Sequence, residues 1–183
     1  MYTGTNPTAV RSMDWIAEAL SAKMMSVPYS KINIKDLCLA ADVSRQTFYN
    51  LFGEKDDVLR YCLKSKYEKI FDGLAAGNSP GISEIIDLFI RYYEDNRPLL
   101  DSMIENHLEA IITEELTESI SLCVSRFVKR GDDDGRIPYA TQMLAGALAQ
   151  LEVYLMKQGE SIEHEKFAGL LSDFFAGSLY SMD

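Results

Sequence analysis

Redox and metal chemistry have little to work with in this chain of 183 residues, which holds three cysteines and two histidines. Cys38, Cys62 and Cys123 are odd in number and widely spaced. That excludes a disulfide framework and a CxxC site, and leaves buried free thiols as the expected state. His107 and His164 lie far apart, and neither belongs to an HExxH or HxH pattern. The run Asp132-Asp133-Asp134 lacks the length and the closing glutamate of a calcium loop. No GxxxxGK or GxGxxG occurs, and no serine sits in an elbow motif. The expectation is a protein without catalytic residues, metal or cofactor. No apolar run approaches 18 residues, so no membrane span is expected. The first residues, MYTGTNPTAVRSMD, lack the apolar core of an export signal, so a cytoplasmic location is the expectation. Alternation with period two is confined to Ile32–Ile34, which excludes a parallel sheet.

Cations are also short. There are 18 Lys and Arg against 28 Asp and Glu, a formal charge of −10. The deficit is uneven: residues 1–70 carry a net +2 and residues 71–183 a net −12. Any nucleic-acid contact is therefore to be sought in the first 70 residues.

The remaining pattern is helical throughout. Val10, Met13, Ala17, Leu20 and Met24 form an apolar stripe over residues 9–26. Val27-Pro28 breaks it, and Asn33 is placed to cap a helix from Ile34 to Ala41 with Asp36 in its first turn. After a turn at Asp42-Val43, Ser44 caps a second short helix that runs to Phe52 and ends at Gly53. Residues 55–76 keep helical period. Residues 77–81 read as punctuation, residues 80–95 as a helix, and Arg97-Pro98 as a fresh start toward Lys129, with a break near 106–112. Residues 131–135 read as a loop. Pro138 opens a helix to Gly159, and residues 162–180 form the last. The five prolines fall at boundaries in this reading.

Residues 34–52, IKDLCLAADVSRQTFYNLF, thus read as helix, tight turn and helix, the unit that lays its second helix in the DNA major groove. From Arg11 to Leu59 the chain resembles the DNA-binding domain of the tetracycline-repressor-type (TetR-like) transcriptional regulators. Ala41, Val43, Ser44, Thr47, Tyr49, Phe52, Lys55 and Leu59 stand on family positions. Asp42 and Leu51 depart from the glycine and histidine common there, Gln46 replaces a frequent small residue, and Glu54 replaces a usual cap. A second, weaker resemblance covers Gln142–Gly159, QMLAGALAQLEVYLMKQG.

The resemblance implies an all-α protein with a three-helix DNA-binding domain over residues 1–54 and a larger helical ligand-binding and dimerisation domain over residues 55–183. It implies a homodimer through the last two helices, double-stranded DNA as partner and a possible small-molecule effector. On the DNA side Lys35, Ser44, Arg45, Gln46, Thr47, Tyr49, Asn50 and Lys55 are the candidate contacts. Arginine pairs with guanine and glutamine with adenine, so Arg45 and Gln46 are the candidate base readers. Phe48 and Phe52 are expected in the core. For an effector, Phe89, Tyr93, Met103, His107, Phe127, Met143, Ala147 and Tyr154 are candidate lining residues, with plain core as the alternative. His107 stands out as a polar residue in an apolar run. A regulator controlled by a protein partner, with no effector, is the other reading.

Overall fold

The computed structural model describes residues 1–75, 82–127, 135, 137–159 and 164–176. Among these every regular element is a helix: α1 (Pro7–Met24), a 3-10 turn (Tyr29–Lys31), α2 (Ile34–Ala40), α3 (Arg45–Leu51), α4 (Lys55–Ala75), α5 (Ile82–Glu105), α6 (Glu109–Phe127), α7 (Ile137–Gln158) and α8 (His164–Ala176). None is long and apolar enough to cross a membrane. The punctuation at 77–81 and most of the loop at 131–135 lie outside the described residues.

The first three helices start where short polar side chains stand in for missing backbone partners. The side chain of Asn6 accepts from Thr8 N, that of Asn33 from Asp36 N, and that of Ser44 from Thr47 N, all at 2.9 Å. Met13, Ile16, Ala17, Leu20 and Met24 bury the inner stripe of α1. Leu37 and Cys38 on α2, Phe48 and Leu51 on α3, and Val58, Leu59 and Leu63 on α4 close over it. One continuous apolar cluster runs from there into the body through Tyr67, Tyr92, Leu100, Met103, Ile112, Ala145 and Ala149.

Two helices end in the same way. Val43 N bonds to Cys38 O at 3.0 Å while Asp42 N reaches Leu39 O at 3.4 Å; Leu108 N bonds to Met103 O and His107 N to Ile104 O, each at 3.0 Å. This is the Schellman pattern, which needs a left-handed residue at the first position past the cap. Asp42 (φ 52°) and His107 (φ 58°) supply it. Aspartate tolerates this conformation better than most side chains, so the corner between α2 and α3 keeps its shape without glycine.

The structure corrects the reading at Pro98, which lies inside a continuous α5 rather than at a fresh start. Pro98 and Glu94, whose carbonyl would have been its acceptor, are both exposed, while Tyr92, Tyr93, Leu99 and Leu100 are buried. Water can serve the freed carbonyl, and the burial of those four side chains outweighs the roughly 3 kcal/mol penalty of an interior proline. The break expected near 106–112 falls at Asn106–Leu108.

Candidate nucleic-acid interface

The seven residues of α3 divide cleanly. Phe48 is fully buried and Leu51 is 5% exposed, and with Phe52 they fix the helix to the core. Arg45, Gln46, Tyr49 and Asn50 are exposed, with Tyr49 at 51%. The Tyr49 ring leans edge-on against Phe48, with centroids 5.5 Å apart, so the core sets the direction of an otherwise free phenol. Ser44 and Thr47 hold each other through a 2.8 Å hydroxyl contact at the helix start. Lys35 is exposed on the first turn of α2. The arrangement is a short, rigid helix with one anchored face and one polar face that holds an arginine, a glutamine, an asparagine and a tyrosine.

Lys55 departs from the expected role. Its Nζ donates to Tyr29 O at 2.8 Å and to Ile32 O at 2.7 Å, and lies 4.2 Å from the centre of the Tyr29 ring. Burial holds this ammonium below its usual range, with the neighbouring Asp56 pulling the other way. A cation committed to two carbonyls and an aromatic face is a staple between α4 and the connector before α2, not a free hand for phosphate. Lys55→Met is expected to cost about 1–3 kcal/mol in urea unfolding by stranding those carbonyls. It should leave the salt dependence of DNA binding unchanged, whereas loss of a phosphate contact would lower that slope by about one.

Tyr29 is the centre of a wider joint. Its phenol donates to Asp56, and its backbone N–H donates to Asn106 Oδ1 at 2.8 Å, at the end of α5. Burial, reinforced by Asp56, raises the Tyr29 pKa and keeps the phenol protonated. Ser102 on α5 donates to Met24 O, the last residue of α1, at 3.0 Å. The foot of α5 is therefore tied by direct bonds to the connector that carries α2 and α3.

Among the expected effector residues whose side chains the structure describes, Tyr93 and Met103 lie inside, 1% and 0% exposed. His107 is exposed, because it serves as the left-handed residue past α5. Met143 (76% exposed), Ala147 and Tyr154 (55%) are on the outer side of α7. The side chains of Phe89 and Phe127 lie outside the described residues. With Tyr139, Met143, Ala147 and Tyr154 make an exposed apolar stripe on α7 at helical spacing. A groove of about 450 Å³ on the head is lined by Trp15, Glu18, Ala19, Ala22, Ala40, Ala41 and Asp42.

One residue of the interior, Glu152, was missed in the sequence, and another, Tyr67, was placed on the apolar period of residues 55–76 without a role. Glu152 on α7 is 0% exposed and Tyr67 on α4 is 1% exposed. The signal for Glu152 was present: it falls on the buried stripe Ala145, Ala149, Val153, Met156, where a carboxylate is out of place. No group of three His, Cys, Asp or Glu that could hold a metal ion occurs among the described residues.

No family model matches the chain. A stretch of 84 residues is 32% identical to the HTH-type dhaKLM operon transcriptional activator DhaS of Lactococcus lactis, covering 45% of this chain and 43% of that protein. The chain thus matches less than half the length of this curated relative. Similar solved structures span nearly all of both chains. Lin0861 from Listeria innocua has a TM-score of 0.74 at 17% identity, covering 96% of this chain and 95% of that one. The TetR family repressor AlkX from Dietzia sp. has a TM-score of 0.60 at 18% identity, covering 87% and 91%. By its fold the chain is TetR-like, with a helix-turn-helix head joined to a larger helical body in the architecture of the TetR-family transcriptional regulators.

Proposed function

We propose that the protein is a sequence-specific DNA-binding transcriptional regulator that acts as a homodimer on a palindromic operator and represses until a small molecule releases it. The observation that carries this reading is the divided α3: an anchored apolar face and an exposed polar face on one rigid element. Arg45 and Gln46 read base edges, while Lys35, Ser44, Thr47, Tyr49 and Asn50 set position on the backbone. Net charge opposes binding elsewhere, since a dimer carries twice the chain's −10. The heads alone offer a favourable field, and non-specific affinity is weak.

The outer stripe of α7, with half-exposed Leu170 on α8, supports pairing of the last two helices with their copies. The bonds from Asn106 and Ser102 to the Tyr29 connector and to the end of α1 support transmission from body to head. An effector that binds one head spacing better than the other shifts the population; one that binds both equally does nothing. The protein-partner reading rests on a separate observation, the groove beside half-exposed Trp15 on the head.

Selection of duplexes from a random pool tests the reading directly: a two-fold symmetric sequence should be enriched. On that duplex, Arg45→Ala and Gln46→Ala are each expected to cost about 1–3 kcal/mol and to relax preference at one position per half-site. Equal loss on cognate and scrambled duplexes would remove the base-reading role.

A further inference from the structure

The body of the protein encloses three polar groups that the fold does not use. Tyr67 on α4 and Tyr92 on α5 stack with ring centroids 4.4 Å apart and planes tilted by 31°. Glu152 on α7 is the strongest charged neighbour of both phenols and also acts on Tyr93. Among the described residues both carboxyl oxygens of Glu152 are shielded from solvent without a hydrogen-bond partner, and the two buried phenols have no side-chain partner but each other. A buried polar atom without a partner costs about 1–3 kcal/mol, and a stable interior does not ordinarily leave a carboxyl bare at both oxygens.

The surroundings contain no balancing positive charge among the described residues. Arg60 pairs with Glu114 and Glu115, Lys66 donates to Asn96, and Arg97 pairs with Asp101 while lying over Tyr93. Cys62, beside Tyr92, and Glu115, beside Tyr67, contribute no cation. One carboxyl and two stacked aromatic faces in an apolar enclosure form the complement of an organic monocation. The carboxylate supplies the counter-charge, the rings supply cation–π attraction, and the phenol oxygens accept from an ammonium.

From this convergence of helices α4, α5 and α7 we infer that Tyr67, Tyr92 and Glu152 form the recognition point of an effector site for amphipathic organic cations, amines or quaternary ammonium compounds. The inference rests on the ligand-responsive reading above and names its ligand class. It also assigns a proton to the event. Burial pushes Glu152 up to about 8, so the carboxyl is protonated in the free protein at neutral pH and must ionise when a cation arrives.

Titration calorimetry on the full-length protein, without DNA, tests this with alkylammonium ions from methyl to octyl and benzyltrimethylammonium. The matched alcohols and carboxylates serve as controls. The longer cations should saturate one site per protomer. Comparison of buffers with different ionisation heats should show release of about 0.9 proton at pH 7, falling toward zero at pH 9. Glu152→Gln, a neutral isostere of the protonated form, should fold normally and lose the cation response at least roughly tenfold. Tyr92→Phe should lose less. The inference is overturned if alcohols bind as well as amines, if Glu152→Gln retains the affinity, or if no cation saturates at millimolar concentration. Because no DNA is present, a failed duplex selection beside a saturating amine would count against the regulator reading and leave the site standing.

Discussion

The thermal stability of the free protein is expected to fall between pH 5 and pH 8, and Glu152→Gln should remove most of that fall. The cause lies in one carboxyl. Burial pushes the Glu152 pKa up to about 8 in the folded protein, while in the unfolded chain it returns to the ordinary glutamate value near 4.3. Between those values the folded form holds a proton that the unfolded form has released. Stability then decreases as pH rises, with a limiting slope of about 1.4 kcal/mol per unit, and levels off above the folded pKa. The loss between pH 5 and pH 8 is on the order of 3–4 kcal/mol, or roughly 7–14 °C in Tm for a chain of this size. Glutamine carries no proton to lose, so the difference between wild type and variant isolates this group from the others that titrate in acid. Parallel melting curves for the two proteins would refute the assignment.

The second large effect is expected at Ala147. This residue lies midway along the outer stripe of α7, beside Gly146 and between exposed Met143 and Tyr154. In the proposed dimer small residues there let a second α7 approach closely, and a two-fold axis through the middle of the helix brings Ala147 near its own copy. Ala147→Arg would place two uncompensated cations in that seam. Sedimentation should show a monomer, with the helical circular dichroism unchanged because the position is exposed within the chain. Affinity for a two-half-site duplex should drop by about 10²–10⁴, since each head would then bind alone. A dimer that survives the substitution would exclude this face as the interface.

The head was legible in the sequence because its determinants are local. Asn33 and Ser44 announce the starts of α2 and α3, and the alternation of Phe48 and Leu51 with Arg45, Gln46 and Tyr49 separates inner from outer positions within two turns. Asp42 was readable as a turn residue in place of the common glycine, and the structure gives it the left-handed conformation. In the body the same reasoning lost its grip. Met143, Ala147 and Tyr154 repeat at helical spacing just as core residues do, and periodicity alone cannot distinguish an inner face from an exposed apolar one. His107 looked like a polar group aimed at a ligand, whereas its position is set by backbone geometry past the end of α5. Lys55 looked like a surface cation because nothing in its neighbourhood along the chain reveals that the carbonyls of Tyr29 and Ile32 lie within reach. The three interior polar groups come from helices separated by some 25 to 85 residues, and only the packed structure brings them together.

The single tryptophan of the chain is Trp15, on α1, 45% exposed, with the Arg11 guanidinium 5.4 Å from its ring and the α2–α3 corner across the groove. All indole emission therefore originates in the head, at a spot adjoining the corner between α2 and α3, while the ten tyrosines spread over the chain remain dark under red-edge excitation. The molecule carries its own optical reporter: docking on a duplex, or a tilt imposed from the body, can be followed in real time without attaching a dye.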